Sequence, residues 1–218
     1  MTVPKKVTIY FVRHGETQFN VEKRLQGFCD SPLTEKGIAQ AKAVGRGLAD
    51  IEFKAAYASE SQRVVDTANH AIGVRKIPLS IDARLKEMNF GVLETLLFTD
   101  IPTQHGNILE TLFSLKDLHF SAPEGESYAQ LFSRTNVAIE EIVKKHEREG
   151  GNILVFSHGV TIGNYLMQLM KMNKYIHHDN CSVSVVSYLD GDFHVDRLTD
   201  TSFRDLGNNY NNTEAKGT

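Results

Sequence analysis

Two stretches of this chain are apolar or aromatic without a break, and both stop at the same kind of residue. Residues 9–12 read Ile-Tyr-Phe-Val and end on Arg13-His14-Gly15. Residues 153–156 read Ile-Leu-Val-Phe and end on Ser157-His158-Gly159. A strand with no polar face is covered on both sides, which points to a mainly parallel sheet between helices. Further strands are expected at 53–58, 182–189 and 193–198. Helical patterns over 35–49, 62–72, 128–146 and 161–170 lie between them, with Thr34 and Ser127 as caps and Gly73 as a stop. Alternating strands and helices build right-handed βαβ units. Asp190-Gly191-Asp192 is hairpin chemistry, so an antiparallel pair should finish the sheet.

The expected organisation is one domain over 1–206. Residues 95–122 break the alternation and read as an insertion, and the polar tail 207–218 is expected to be disordered. A net charge of −3 gives no footprint for nucleic acid or a membrane surface. No apolar stretch approaches the ~18 residues that span a bilayer, and the N-terminus lacks the pattern of a signal peptide. The two cysteines, Cys29 and Cys181, are too few for a disulfide framework and fit a reducing cytoplasm.

In an open parallel sheet, ligands gather beyond the carboxyl ends of the strands. The junctions there read Arg13-His14-Gly15-Glu16-Thr17, Ser59-Glu60-Ser61-Gln62-Arg63 and Ser157-His158-Gly159. Together with the helix N-termini, Arg13, His14, Arg63 and His158 make a rim for an anion, and a phosphate monoester is the natural candidate. One imidazole, uncharged near neutral pH, can attack phosphorus, while the other, held protonated by the anion, can clamp its equatorial oxygens. Glu87, flanked by Leu85, Met88 and Phe90, is placed to carry a proton for the leaving alcohol. Two histidines and a glutamate also match a zinc site, but neighbouring arginines oppose a dication. His177 and His178 read as a solvated loop pair, and His70, His146 and His194 as non-catalytic.

The blocks RHGETQFN, LQGFCDSPLTEKG, SESQRVVDTA, LKEMNFGVLE, PEGES and SHG occur in that order between Val7 and about Thr199. They resemble the signature blocks of the histidine phosphatase superfamily, in its phosphoglycerate-mutase-like branch. The resemblance implies a three-layer α/β/α sandwich and a phosphohistidine intermediate on His14. It also implies a phosphate pocket of Arg13, Arg63 and His158 with neighbouring Gly159, a proton donor at Glu87, and support from Asn20, Gln26 and Gly27. The pattern usually carries Ser-Pro-Leu where this chain has Ser59-Glu60-Ser61, which puts a carboxylate near the pocket. It usually carries Glu-Gly where this chain has Glu94-Thr95.

Phosphatase and mutase chemistry share these residues. A mutase must also retain a bisphosphate, which calls for extra basic residues around the pocket. The insertion 95–122 holds one lysine, Lys116, and no arginine, and is rich in Leu, Ile and Phe. That favours a phosphatase for a small phosphorylated metabolite, with an apolar cover suited to an uncharged alcohol part. No metal or other cofactor is expected, and a bisphosphoglycerate primer only for a mutase. A non-catalytic phospho-ligand binder is the third alternative. Neither the substrate nor the oligomeric state is legible.

Overall fold

The computed structural model describes residues 5–214. Its strands are β1 (Val7–Arg13), β2 (Phe53–Ala58), β3 (Leu79–Ile81), β4 (Gly151–Ser157), β5 (Val183–Leu189) and β6 (Asp192–Asp200). They form one six-stranded sheet in the order β3-β2-β4-β1-β5-β6. The first four in that order run parallel, β5 is antiparallel to β1, and β6 is antiparallel to β5. The helices are α1 (Gln18–Glu22), α2 (Glu35–Gly47), α3 (Gln62–Ile72), α4 (Ile101–His105), α5 (Ile108–Phe113), α6 (Tyr128–His146), α7 (Gly159–Leu169) and α8 (Ser202–Glu214).

Because successive side chains on a strand point to opposite faces, β1 feeds two cores. Val7, Ile9 and Phe11 pack with Ile139 and Ile142 of α6 and Ile162 and Leu166 of α7. On the other face, Val12 packs with Ala41 and Val44 of α2 and Val64 and Ala68 of α3. This is the three-layer sandwich, and each large side chain so buried contributes about 1.5–3 kcal/mol.

The insertion folds rather than looping out. Ile101, Leu112 and Leu115 bury against Met88, Phe90, Leu93 and Met167 in a third core beyond the carboxyl end of the sheet. That core roofs the site described below.

The expected disorder of the tail is corrected for residues 207–214, which belong to α8; residues 215–218 lie outside the described residues. Two glycines let α8 approach α2 backbone to backbone. A Cβ on Gly207 would stand 1.8 Å from the carbonyl oxygen of Ala43, and one on Gly47 1.7 Å from that of Phe203. Contact of this kind needs few apolar side chains, so the segment's polar, Asn-rich composition does not mark it. The short α1 and β3 were likewise not expected, and α7 starts at Gly159 rather than Thr161.

Candidate active site

β1 and β4 pair with Arg13 opposite Ser157. The residues that follow, His14 and His158, therefore leave the sheet side by side. Their ring centroids are 5.4 Å apart and their planes 66° apart. Beyond them opens a cavity of about 640 Å³, lined by Arg13, His14, Asn20, Gln26, Glu87 and Gly159 among others. Of the residues expected in the site, Gly27, Arg63 and His158 do not line this cavity; they form a layer behind it.

His14 is 3% exposed. Its Nδ1 lies 2.8 Å from the carbonyl oxygen of Gly15. A carbonyl can only accept, so Nδ1 carries the proton and the Nε2 lone pair is left for chemistry. Burial, with Arg13 and Arg63 nearby, holds the imidazole pKa well below its usual value, so the ring is neutral.

Arg63 and His158 are interlocked. Arg63 Nη1 donates to the Cys29 carbonyl (2.9 Å) and to Asp30 Oδ1 (2.8 Å), and Nη2 donates to the Gly27 carbonyl (2.9 Å) and to His158 Nδ1 (3.0 Å). His158 Nδ1 is thus an acceptor, and its Nε2–H faces Ser59 Oγ at 2.9 Å. Burial first, then Arg63, holds the His158 pKa well below the usual value. The ring is neutral and both its nitrogens are engaged. What remains open is the Nε–H of Arg63 and that of Arg13, both buried without a hydrogen-bond partner among the described residues. Unpaired buried donors on cations are costly, and an anion would satisfy them.

Glu87 reaches the N-terminus of α7. Its Oε1 accepts from the N–H of Met88 (3.0 Å) and from the N–H and hydroxyl of Thr161 (both 2.9 Å). Its Oε2 accepts one bond, from the Val160 N–H at 3.1 Å. Oε2 is the oxygen with room for a proton.

Glu60 pairs with Lys86 at 3.0 Å and does not line the cavity. Asn20 Oδ1 accepts from the Thr17 N–H, Gln26 Oε1 accepts from the Thr17 hydroxyl, and both side chains line the cavity. Glu94 accepts from the N–H groups of Phe28, Cys29 and Phe90 at 2.7, 2.6 and 3.1 Å, fixing the loop whose carbonyls hold Arg63.

The loop before β5 was not expected in the site. His178 is corrected from solvated to buried (1% exposed), while His177 remains exposed. The His178 carbonyl accepts from Arg13 Nη1. Asn180 donates to the His14 carbonyl (3.1 Å) and to Asn20 Oδ1 (3.2 Å), and its own carbonyl accepts from Arg204 of α8 (2.8 Å). Among the described residues, no group of three or more His, Cys, Asp or Glu side chains is arranged to hold a metal ion. No helix there is long and apolar enough to cross a membrane.

The family profile described as the histidine phosphatase superfamily (branch 1) matches residues 9–201. The chain belongs to that superfamily. A relative from Escherichia coli O1:K1, named "Probable phosphoglycerate mutase GpmB", is 33% identical over 184 residues, 83% of this chain and 84% of the relative. The structure titled as phosphoglycerate mutase from Bacillus anthracis superposes with a TM-score of 0.86 at 30% identity, covering 94% of this chain and 98% of the other. The alpha-ribazole phosphatase from Shigella flexneri superposes with a TM-score of 0.78 at 25% identity, covering 89% and 96%. Histidine phosphatase relatives of this chain thus carry both phosphatase and mutase names.

Proposed function

We propose that this chain is a phosphatase that hydrolyses phosphate monoesters of small metabolites through a phosphohistidine on His14. The observation that carries this reading is the neutral His14, its Nδ1 tied to Gly15, beside two arginines whose buried Nε–H donors lack partners among the described residues. The phosphoryl group sits in the cavity at the Arg13 Nε–H, with the Arg63 charge behind it, and His14 Nε2 attacks phosphorus in line with the ester oxygen. As the N–P bond forms, the P–O bond to the alcohol breaks and Glu87 gives the alcohol its proton. Water then attacks the phosphohistidine, Glu87 takes the water's proton, and His14 leaves as neutral imidazole with inorganic phosphate as product. The arginines meet the charge on the transferring group, so the reading requires no metal.

A second reading is phosphoglycerate mutase, favoured by the names of the relatives and by Lys23 and Arg24 at the cavity wall. It needs a bisphosphate primer. Arg24, however, is already engaged by Glu22 at 2.6 Å and the Thr95 carbonyl at 2.8 Å.

The test is phosphate release from a panel of monoesters in EDTA, with phosphoglycerate isomerisation followed alongside. Release without isomerisation is expected. His14→Ala should abolish release while leaving the circular dichroism spectrum unchanged. Glu87→Gln should slow alkyl esters far more than an activated aryl ester, by about 10²-fold or more. Turnover retained by His14→Ala would overturn the mechanism, and isomerisation with little release would make the protein a mutase.

A further inference from the structure

We infer that the part of the cavity beyond His14 is a subsite for an uncharged aromatic alcohol, so that the preferred substrates are phosphate monoesters of such alcohols. This rests on the phosphatase reading and adds the substrate class. Three segments distant in sequence bring aromatic rings to one wall. Phe113 of the insertion meets Tyr175, after α7, edge-on at 5.6 Å and 84°, and lies 6.4 Å from Phe90 at 36°. All three line the cavity that contains His14 and Glu87. Phe98, also from the insertion, stands at its wall with 43% of its surface in water, apolar area that a bound ring would cover. A cavity of about 640 Å³ has room for a phosphoryl group and a ring beyond it.

The charges around this chamber argue against an ionic alcohol part. Arg24 is held by Glu22 and a carbonyl, and His177 lies 3.5 Å from Asp179. Burial pushes the Tyr175 hydroxyl up to about 12, so it stays neutral and offers one hydrogen bond to a polar atom of the ligand. A carboxylate or second phosphate inside would meet Lys23, which is exposed, and Arg24, which is partly exposed and shared with Glu22. A charge taken out of water without a close partner is disfavoured, whereas a neutral ring gains from every apolar atom it covers.

The discriminating substrates are 2-phenylethyl phosphate, ethyl phosphate and 3-phosphoglycerate, all esters of alcohols rather than phenols. The full chain should hydrolyse the phenylethyl ester with a kcat/KM about 30-fold above that of the ethyl ester, expressed mainly in KM. 3-Phosphoglycerate should fall below the phenylethyl ester. Phe98→Asp, at an exposed position, should shrink the phenylethyl advantage by about 10-fold. Equal rates for the two neutral esters, or a preference for 3-phosphoglycerate with hydrolysis intact, overturns the subsite and spares the phosphatase reading. Failure to hydrolyse any ester refutes that reading instead. Calorimetric binding of the same three esters to His14→Ala then decides the subsite without turnover: the phenylethyl ester binding tightest upholds it, and any other ranking overturns it.

Discussion

Acidifying the protein from about pH 7.5 to about pH 5 should weaken the fold through histidines buried in the uncharged form, and His178 gives the clearest measure. Its ring spans the Ile176 carbonyl at 3.2 Å and the Ser184 hydroxyl at 3.1 Å. Burial lowers its pKa to about 4; the hydrogen bond to Ile176 opposes this, Arg13 and His177 reinforce it, and Asp179 opposes it. In the unfolded chain an imidazole titrates near 6.5. Between those two values the unfolded chain binds a proton that the folded one refuses, so stability rises with pH. This contribution is complete above about 6.5 and is lost as the pH falls toward 4. At pH 5 the loss is about 2 kcal/mol, from 1.36 kcal/mol per pH unit over ~1.5 units. His14 and His158 act with the same sign, so the whole protein loses more.

His178→Gln isolates the effect. The variant loses two native hydrogen bonds and starts less stable, but the quantity to read is the difference between the two pH values. Urea unfolding at both should show that difference smaller by about 2 kcal/mol in the variant, equivalent to roughly 4–8 °C in Tm for a chain of this size. A variant that weakens on acidification as much as the parent would refute the buried neutral histidine.

Thr95 is a β-branched residue at φ 69°, where the superfamily pattern usually has glycine. Thr95→Gly relieves about 1–2 kcal/mol of backbone strain and gives back roughly 0.4–1 kcal/mol to unfolded-chain entropy. The net gain of about 0.5–1 kcal/mol should raise Tm by roughly 1–4 °C in a thermal melt, and a fall would contradict it. Arg204→Ala removes the bond from α8 to the Asn180 carbonyl and should lower kcat more than it raises KM, with Arg204→Lys restoring part of the loss. Equal kcat in the parent and the alanine variant would separate α8 from the site. Glu94→Gln turns an amide N–H₂ toward backbone N–H donors that the carboxylate now accepts. It should cost about 1–3 kcal/mol in urea unfolding and raise KM as the loop loosens around Arg63.

The parts of the site legible in the sequence are those announced by their own neighbours. An apolar run that ends on Arg13-His14-Gly15 or Ser157-His158-Gly159 says where a strand stops, and the parallel-sheet rule says that a ligand sits there. Residue type did not reveal which groups face the cavity. Arg63 and His158 have the chemistry for it, yet they stand behind it because the carbonyls of Gly27 and Cys29 fold over the guanidinium. That fact belongs to a loop held by Glu94, a carboxylate distant from Arg63 in sequence. The segment carrying His178 and Asn180 is less legible, because the His177-His178 pair with only Asp179 beside it reads as a solvated loop. Its place follows from topology. An antiparallel strand beside β1 must begin where β1 ends, as Val183 opposite Val12 does, so the residues leading into it reach the same rim. The Cys181 N–H then donates to the Arg13 carbonyl and the Arg13 N–H to the Ser182 carbonyl, drawing Asn180 against the His14 carbonyl and His178 against the Arg13 guanidinium. An antiparallel strand in an otherwise parallel sheet therefore contributes its entrance, not its exit, to the site.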